Sequence, residues 1–498
     1  MADGSPVLSL LGLVGYLAIA YVTGRILVGL LVVSANSLVR ASSPILGGSA
    51  LAIQLWVYGA VHTPWNPLTI LGPWVVAAIV RRRQLRRAVA EDWSGLVSEA
   101  MQLAQSGPLE VVLLVALAVL GLVYMVNLVT QPVLGWDAIA MWLFKADLFY
   151  SQQAVNLTPI ASDIRRNLDY PPLYPLMVDS LYGIAGHADD IFGKSVTYLF
   201  FPTSLVGFLI MARELVGRRL AITFTFLLGA MPIFLNALFS FPYMGWADYP
   251  VGILMLVSLL HLTQGLRNSD HVSLSLAVVY AALAALTKNE GLSFLAIILA
   301  VLVFPYVAAT ARRKTALAPN WPFVAVVLLS LGPLLAWQLY LKLNGISSAR
   351  LVGQQTWFDL VPALPGRAVA TLASIRRHFS FQGDYPWLVA GYLLSVVLTA
   401  FARTPVAKAV LAAVSLQVAS YFVIYLITPF DVEYIVSVSL DRLLMQLAPS
   451  LVLLLAVAAH PYVTASASEG KVIDEARQEW SLTPASSDSI RGAGRLTS

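Results

Sequence analysis

Cysteine is missing from this chain altogether. That removes disulfides, thiolate nucleophiles and Cys-ligated metal from consideration. Charge is scarce as well. Asp, Glu, Lys and Arg make up 11% of the 498 residues, where soluble domains carry roughly 25%. A chain of this length with so little charge cannot clothe soluble domains in polar surface. The formal charge of +5 is small, and the basic residues fall in short clusters between apolar runs, a pattern of membrane orientation and not of nucleic-acid binding. The flank Met1–Pro6 lacks a basic residue, and the apolar run behind it, Val7 to Ala35, is too long for a signal-peptide core, so it reads as a retained span.

What the sequence has in abundance is apolar runs: 58% of it is hydrophobic. A spanning helix needs about 20 mostly apolar residues. On that measure the chain is an all-α polytopic membrane protein of about 13 transmembrane helices. The runs fall at 7–34, 45–61, 66–80, 108–131, 192–212, 219–240, 249–266, 272–287, 291–310, 321–343, 386–402, 407–428 and 443–460. If they alternate, four basic sites share one side, which should be cytoplasmic. These are R-R-R-Q-L-R-R at 81–87, then Arg213, Arg218 and Arg219, then Arg312, Arg313 and Lys314, then Arg403 and Lys408. The N-terminus is then outside. This holds only if Pro171 to Ala185 is not a span; its two leading prolines and Asp179 suit a helix lying at the interface. Three regions follow. Residues 1–107 hold extra spans and a basic linker. Residues 108–460 form a membrane module with long outer loops at 132–191, 344–385 and 429–442, the first carrying in-plane helices. Residues 461–498 are a polar cytoplasmic tail expected to be disordered.

The topology sorts the unusual charges to the outer boundary: Asp137, Lys145, Asp169, Asp248, Lys288, Glu290, Asp441 and Arg442. Ionisable groups at membrane depth usually face a cavity or each other. In G-W-D-A-I-A-M-W-L-F-K-A (135–146), a helix would align Asp137 with Met141 and Met141 with Lys145. Asp137 is then either a pocket acid or a helix-start acid, with Lys145 snorkelling to headgroups. D-Y-P-P and W-A-D-Y-P set Asp169 with Tyr170, and Asp248, at the outer starts of helices, as caps or as site acids. In T-K-N-E-G (287–291), Lys288 sits on the side that disfavours lysine, so it needs Glu290 or a bound anion as partner. Arg442 pairs with Asp441 or Asp431, or binds phosphate with its fork. Outer carboxylates with Lys145, Lys288 and Arg442 suit an anionic substrate whose tail lies in lipid, with cations on a phosphate and a carboxylate as general base.

In order and sidedness, these motifs resemble the GT-C class of integral-membrane glycosyltransferases, in particular bacterial relatives of the aminoarabinose transferases and protein O-mannosyltransferases. The likeness covers roughly 108–460. It rests on Trp136-Asp137-Ala138 after a spanning helix, Tyr170-Pro171-Pro172, G-H-A-D-D-I-F-G-K (186–194) and L-T-K-N-E-G (286–291). The resemblance implies an inverting transferase moving a sugar from a polyprenyl-phosphate donor to a hydroxyl of a glycan, lipid or protein acceptor. The site would face the periplasm from the bacterial inner membrane. Asp137 would be the base, with Lys288 and Arg442 on the donor phosphate. Where many relatives have an acidic pair this chain has one acid, so a second would be Asp169 or Asp248. A divalent metal would need those three acids as ligands; with three cations already present, a metal-independent reaction is expected. A polymerase or ligase using diphosphate-linked donors, or a transporter of lipid-linked glycans, remains the alternative.

Overall fold

The computed structural model describes residues 6–31, 36–103, 107–161, 167–233, 235, 245–311, 321–346, 357–381, 385–402 and 404–482. Among these there is no strand. Seven helices are long and apolar enough to cross a membrane, and four shorter apolar helices accompany them. The chain is therefore an all-helical, multi-pass membrane protein.

In chain order the helices are α1 (Pro6–Leu31), α2 (Ser37–Ala60), α3 (Pro67–Val80), α4 (Arg82–Leu103) and α5 (Pro108–Thr130). A π-helical turn (Ala138–Leu143) runs into α6 (Phe144–Gln152), followed by α7 (Leu173–Ala185), α8 (Asp190–Gly193) and α9 (Phe200–Ala230). Then come α10 (Asp248–Asn268), α11 (His271–Thr287), α12 (Glu290–Ala311), α13 (Trp321–Leu343), α14 (Trp357–Phe381), α15 (Tyr385–Ala402), α16 (Pro405–Ile427) and α17 (Val432–Leu482).

Contacts divide the bundle into two ends. At one end, α1 reaches α7 and α8: Tyr16 hydrogen-bonds Ser180, and Gly12 lies against Phe192. At the other end, Arg81 donates to the carbonyl of Gly29 near the close of α1. Glu110 at the start of α5 pairs with Arg219, and Arg267 pairs with Glu214. Helix α9 is a hairpin. Its φ of 74° and ψ of 170° at Gly217 break the helical run, and Gly229 returns to lie against Leu205. Such backbone is essentially reserved for glycine, and it sets Arg213, Arg218 and Arg219 at the same end as Arg81–Arg87. The cluster at 312–314 and Arg403 lie outside the described residues.

Two expectations change. The segment 173–185 is a helix, but it does not lie on a surface, since every residue from Leu173 to Gly183 is buried. Tyr16 of α1, Gly48 of α2, Ile70 of α3, Trp142 of the π turn and Gly193 of α8 all touch it. The first three helices, without a role on sequence grounds, are its walls. Arg25, the one charge deep in the first run, pairs at 3.1 Å with Asp92 of α4. Finally, α17 runs on to Leu482, so 461–482 is helical instead of disordered, as its Ala, Glu, Arg and Gln content favours; 483–498 lie outside the described residues.

Candidate functional site

The site is assembled at the α1–α7 end from five separate stretches. The first is Gly135 to Ala146. Its helix carries a π turn, which takes i→i+5 bonds and so holds one residue more than an α turn. Met141 and Lys145 still face one partner, Asn167, which donates to the Met141 sulfur and accepts from Lys145 through its carbonyl. Trp136 is 73% exposed, Trp142 is fully enclosed, and Asp137 lies between them with its side chain 14% exposed. Trp142 stacks on Tyr170 at 5.4 Å and meets Tyr174 edge-on.

The second, third and fourth stretches meet at Asp248. As the first residue of α10 it was a candidate cap, but its carboxylate is fully used elsewhere. Oδ1 accepts from Lys288 Nζ at 2.6 Å and from Gln446 Nε2 at 2.7 Å. Oδ2 accepts from Arg442 Nη2 at 3.0 Å and Nε at 3.2 Å. Asp248 itself is wholly buried. Lys288 also contacts Glu290 at 2.9 Å, one of the two partners weighed for it; the other, a bound anion, has its place taken by Asp248. The turn that carries it closes tightly because Gly291 packs its Cα on the backbone of Ala284, where a Cβ would clash. Arg442 in α17 bridges Asp248 and Asp137, its Nη2 lying 2.6 Å from Asp137 Oδ2. Neither Asp441 nor Asp431 is its partner. Asp431 caps the start of α17 through the Tyr434 amide at 2.9 Å, and Asp441 is half-buried facing His378.

The fifth stretch is the loop before α7. Lys145 is completely buried and donates to the carbonyls of Asn167 at 2.8 Å and Tyr170 at 3.1 Å. It braces this loop from within. Burial pulls its ammonium down to about 7, and Asp169 opposes the shift. Asp169 accepts from Asn289 Nδ2 at 2.8 Å, so the Lys288 turn grips both acids, Asp248 by its lysine and Asp169 by its asparagine. The Tyr170 ring lies between the two lysines, 6.0 Å from Lys145 and 5.8 Å from Lys288. Arg442 stands 4.8 Å over Trp246.

Two groups in this network are incompletely engaged. Arg442 makes no hydrogen bond through Nη1 to any described residue, and its side chain is 18% exposed. Asp137 Oδ2 is shielded from solvent against Arg442 Nη2 at 2.6 Å, and no other described residue donates to it. Burial raises the Asp137 carboxyl above the usual carboxylate range; Arg442 and Lys288 oppose the rise and Asp248 adds to it. Asp169 is also raised, again chiefly by burial. No group of three or more His, Asp or Glu is arranged to hold a metal ion among the described residues.

The structure thus joins Asp137, Asp248, Lys288, Glu290 and Arg442 directly, sets Asp169 and Tyr170 beside them, and gives Lys145 to the loop. Sequence reasoning missed Gln446, Asn289, Trp246 and Tyr421, whose hydroxyl donates to Gln446 Oε1 at 2.6 Å. Gln446 had a readable signal, since it lies four residues after Arg442 on the same helical face. Tyr421 had none. No family model, curated protein or solved structure matches the chain.

Proposed function

We propose that this protein is an inverting glycosyltransferase of GT-C-like architecture, with about 13 spans. It moves a sugar from a polyprenyl-phosphate donor to an acceptor hydroxyl at the outer face of a bacterial inner membrane. One observation carries the reading: Asp137 rests one carboxylate oxygen on Arg442 at 2.6 Å, keeps its side chain 14% exposed, and so sits accessible beside an arginine whose outward nitrogen is unused. An acceptor O–H donates to the Asp137 oxygen that Arg442 does not hold, and a phosphate fits the Nη1 side of Arg442 with Lys288 behind it.

The reaction then follows. Asp137 takes the proton of the acceptor hydroxyl while the freed oxygen bonds to the anomeric carbon, from the face opposite the donor phosphate. The bond from that carbon to the phosphate oxygen breaks, and its electron pair leaves with the lipid phosphate. Arg442 and Lys288 stabilise the charge that develops there. Asp248 holds both cations, aided by Gln446, and does no proton transfer itself. Burial supports Asp137 as the base, because a raised carboxyl pKa makes a stronger base than an ordinary aspartate.

The test is transfer from labelled polyprenyl-phosphate sugar to a crude acceptor in membranes, with polyprenyl-diphosphate sugar as a parallel donor. Asp137→Asn should lower the rate by about 10²- to 10⁴-fold with donor binding kept. Lys288→Ala and Arg442→Ala should weaken donor binding. Transfer by Asp137→Asn near the wild-type rate would remove the base, and transfer only from the diphosphate would move the protein to the polymerase or ligase class.

A further inference from the structure

At the end opposite the site, the chain turns from α3 into α4 through Val80, Arg81, Arg82, Arg83 and Gln84, and these residues line an open cavity of about 570 Å³. The corner is pinned in place. Arg81 Nη1 donates to the Gly29 carbonyl and to Gln84 Oε1, each at 2.9 Å. Arg82, Arg83, Arg86 and Arg87 have no carboxylate partner among the described residues, whereas Arg25 and Arg40 pair with Asp92, Arg219 with Glu110 and Arg267 with Glu214. A cavity lined by Arg82 and Arg83, neither paired with a carboxylate, is suited to an anion, and the guanidinium fork matches phosphate.

The surroundings of the cavity are amphiphilic. Arg82, Arg86, Val89, Trp93 and Val97 recur at helical spacing along one stripe of α4, and Val89, Trp93 and Val97 are exposed. The inner stripe is anchored: Asp92 takes Arg25 of α1 and Arg40 of α2, and accepts from Tyr21. Immediately beside the corner, α3 exposes Val75, Val76, Ile79 and Val80. An occupant with a phosphate in the arginine corner would therefore have an apolar wall on which to lay a chain. A free phosphate would use the first feature only.

We propose that the α3–α4 corner is a binding site for an anionic phospholipid of the leaflet opposite the Asp137 site. The lipid phosphate sits among Arg81, Arg82 and Arg83, an acyl chain lies along Val76 and Val80, and Trp93 holds α4 in the interfacial plane. This site is independent of the transferase reading.

Native mass spectrometry of the full-length protein tests it, after exchange into detergent with added phosphatidylglycerol or phosphatidylcholine. Phosphatidylglycerol should be retained in preference, and the double variant Arg82→Gln, Arg83→Gln should hold it about 30-fold more weakly, with Arg82→Lys, Arg83→Lys between the two. Both variants alter exposed side chains, so an unchanged melting temperature and elution volume report an intact fold. Equal retention of the two lipids, or unchanged phosphatidylglycerol binding by the glutamine variant, would overturn the proposal. Displacement of the lipid by millimolar inorganic phosphate would reassign the corner to a soluble anion and overturn it equally.

Discussion

Asp137 and Asp248 share Arg442, yet their surroundings separate their roles. Asp248 is sealed in with four hydrogen bonds and two cations, so removing its charge leaves Lys288 and Arg442 without their common counter-ion. Asp248→Asn should therefore cost on the order of 3–5 kcal/mol of stability, read as a marked fall in melting temperature in detergent. Asp137→Asn should cost far less, because burial already favours the neutral carboxyl there; equal losses would contradict the division. The same shift sets a pH dependence. The base works only when deprotonated, and burial holds its pKa in the fold above that of an ordinary aspartate, so turnover should fall as pH drops through a midpoint above the ordinary aspartate range. A pH–rate profile flat down to that range would count against Asp137. At this scale the candidate site was largely legible, because a lysine or arginine on the side that disfavours cations must have an anion nearby. Lys145 was legible as unusual but not as a brace, since its acceptors are backbone carbonyls and carry no sequence signal. Tyr421 and Asn289 stayed hidden, as neutral polar side chains suit helices and turns of every kind.

Among the elements, the least legible is α7. Its composition allows a surface helix, and only the tertiary arrangement shows that α1, α2 and α3 enclose it. That enclosure depends on a close approach between α1 and α2. A Cβ at Gly47 would collide with the Ala20 carbonyl, and one at Gly24 with that of Ser43, the small-residue packing by which membrane helices come together. Gly47→Val should push the pair apart at a cost of about 1–3 kcal/mol. The consequence should reach residues 173–185, whose backbone amides would exchange faster with deuterium than in the wild type. Unchanged protection of α7 in that variant would mean the first helices do not support it. The α9 hairpin is the contrary case: Arg213, Arg218 and Arg219 predicted a turn between two spans, and Gly217 supplies it. The helical extension of α17 past His460 was missed because a polar composition was read as disorder, although residues such as Ala, Glu and Gln form helix without any apolar partner.

For the whole molecule, the decisive property is its polarity. The Asp137–Arg442–Asp248–Lys288–Glu290 network closes one end, and the arginines from Arg81 to Arg87, with Arg219 and Arg267, mark the other. A bilayer around the bundle must leave these ends on opposite faces, since neither set of charges can rest in hydrocarbon. The absence of cysteine makes this directly measurable, because any thiol introduced is the only one in the chain. Trp136 is 73% exposed beside the proposed base, and Arg87 is exposed on α4. In intact cells a membrane-impermeant maleimide should label Trp136→Cys, and it should label Arg87→Cys only after permeabilisation. Labelling of both from outside would break the two-ended arrangement. The reverse pattern would keep the arrangement and turn the network toward the cytoplasm, where a transferase acting on an exported acceptor has no substrate. That outcome would separate the architecture from the proposed reaction, since the first depends only on helix contacts and the second depends on which face the carboxylate meets.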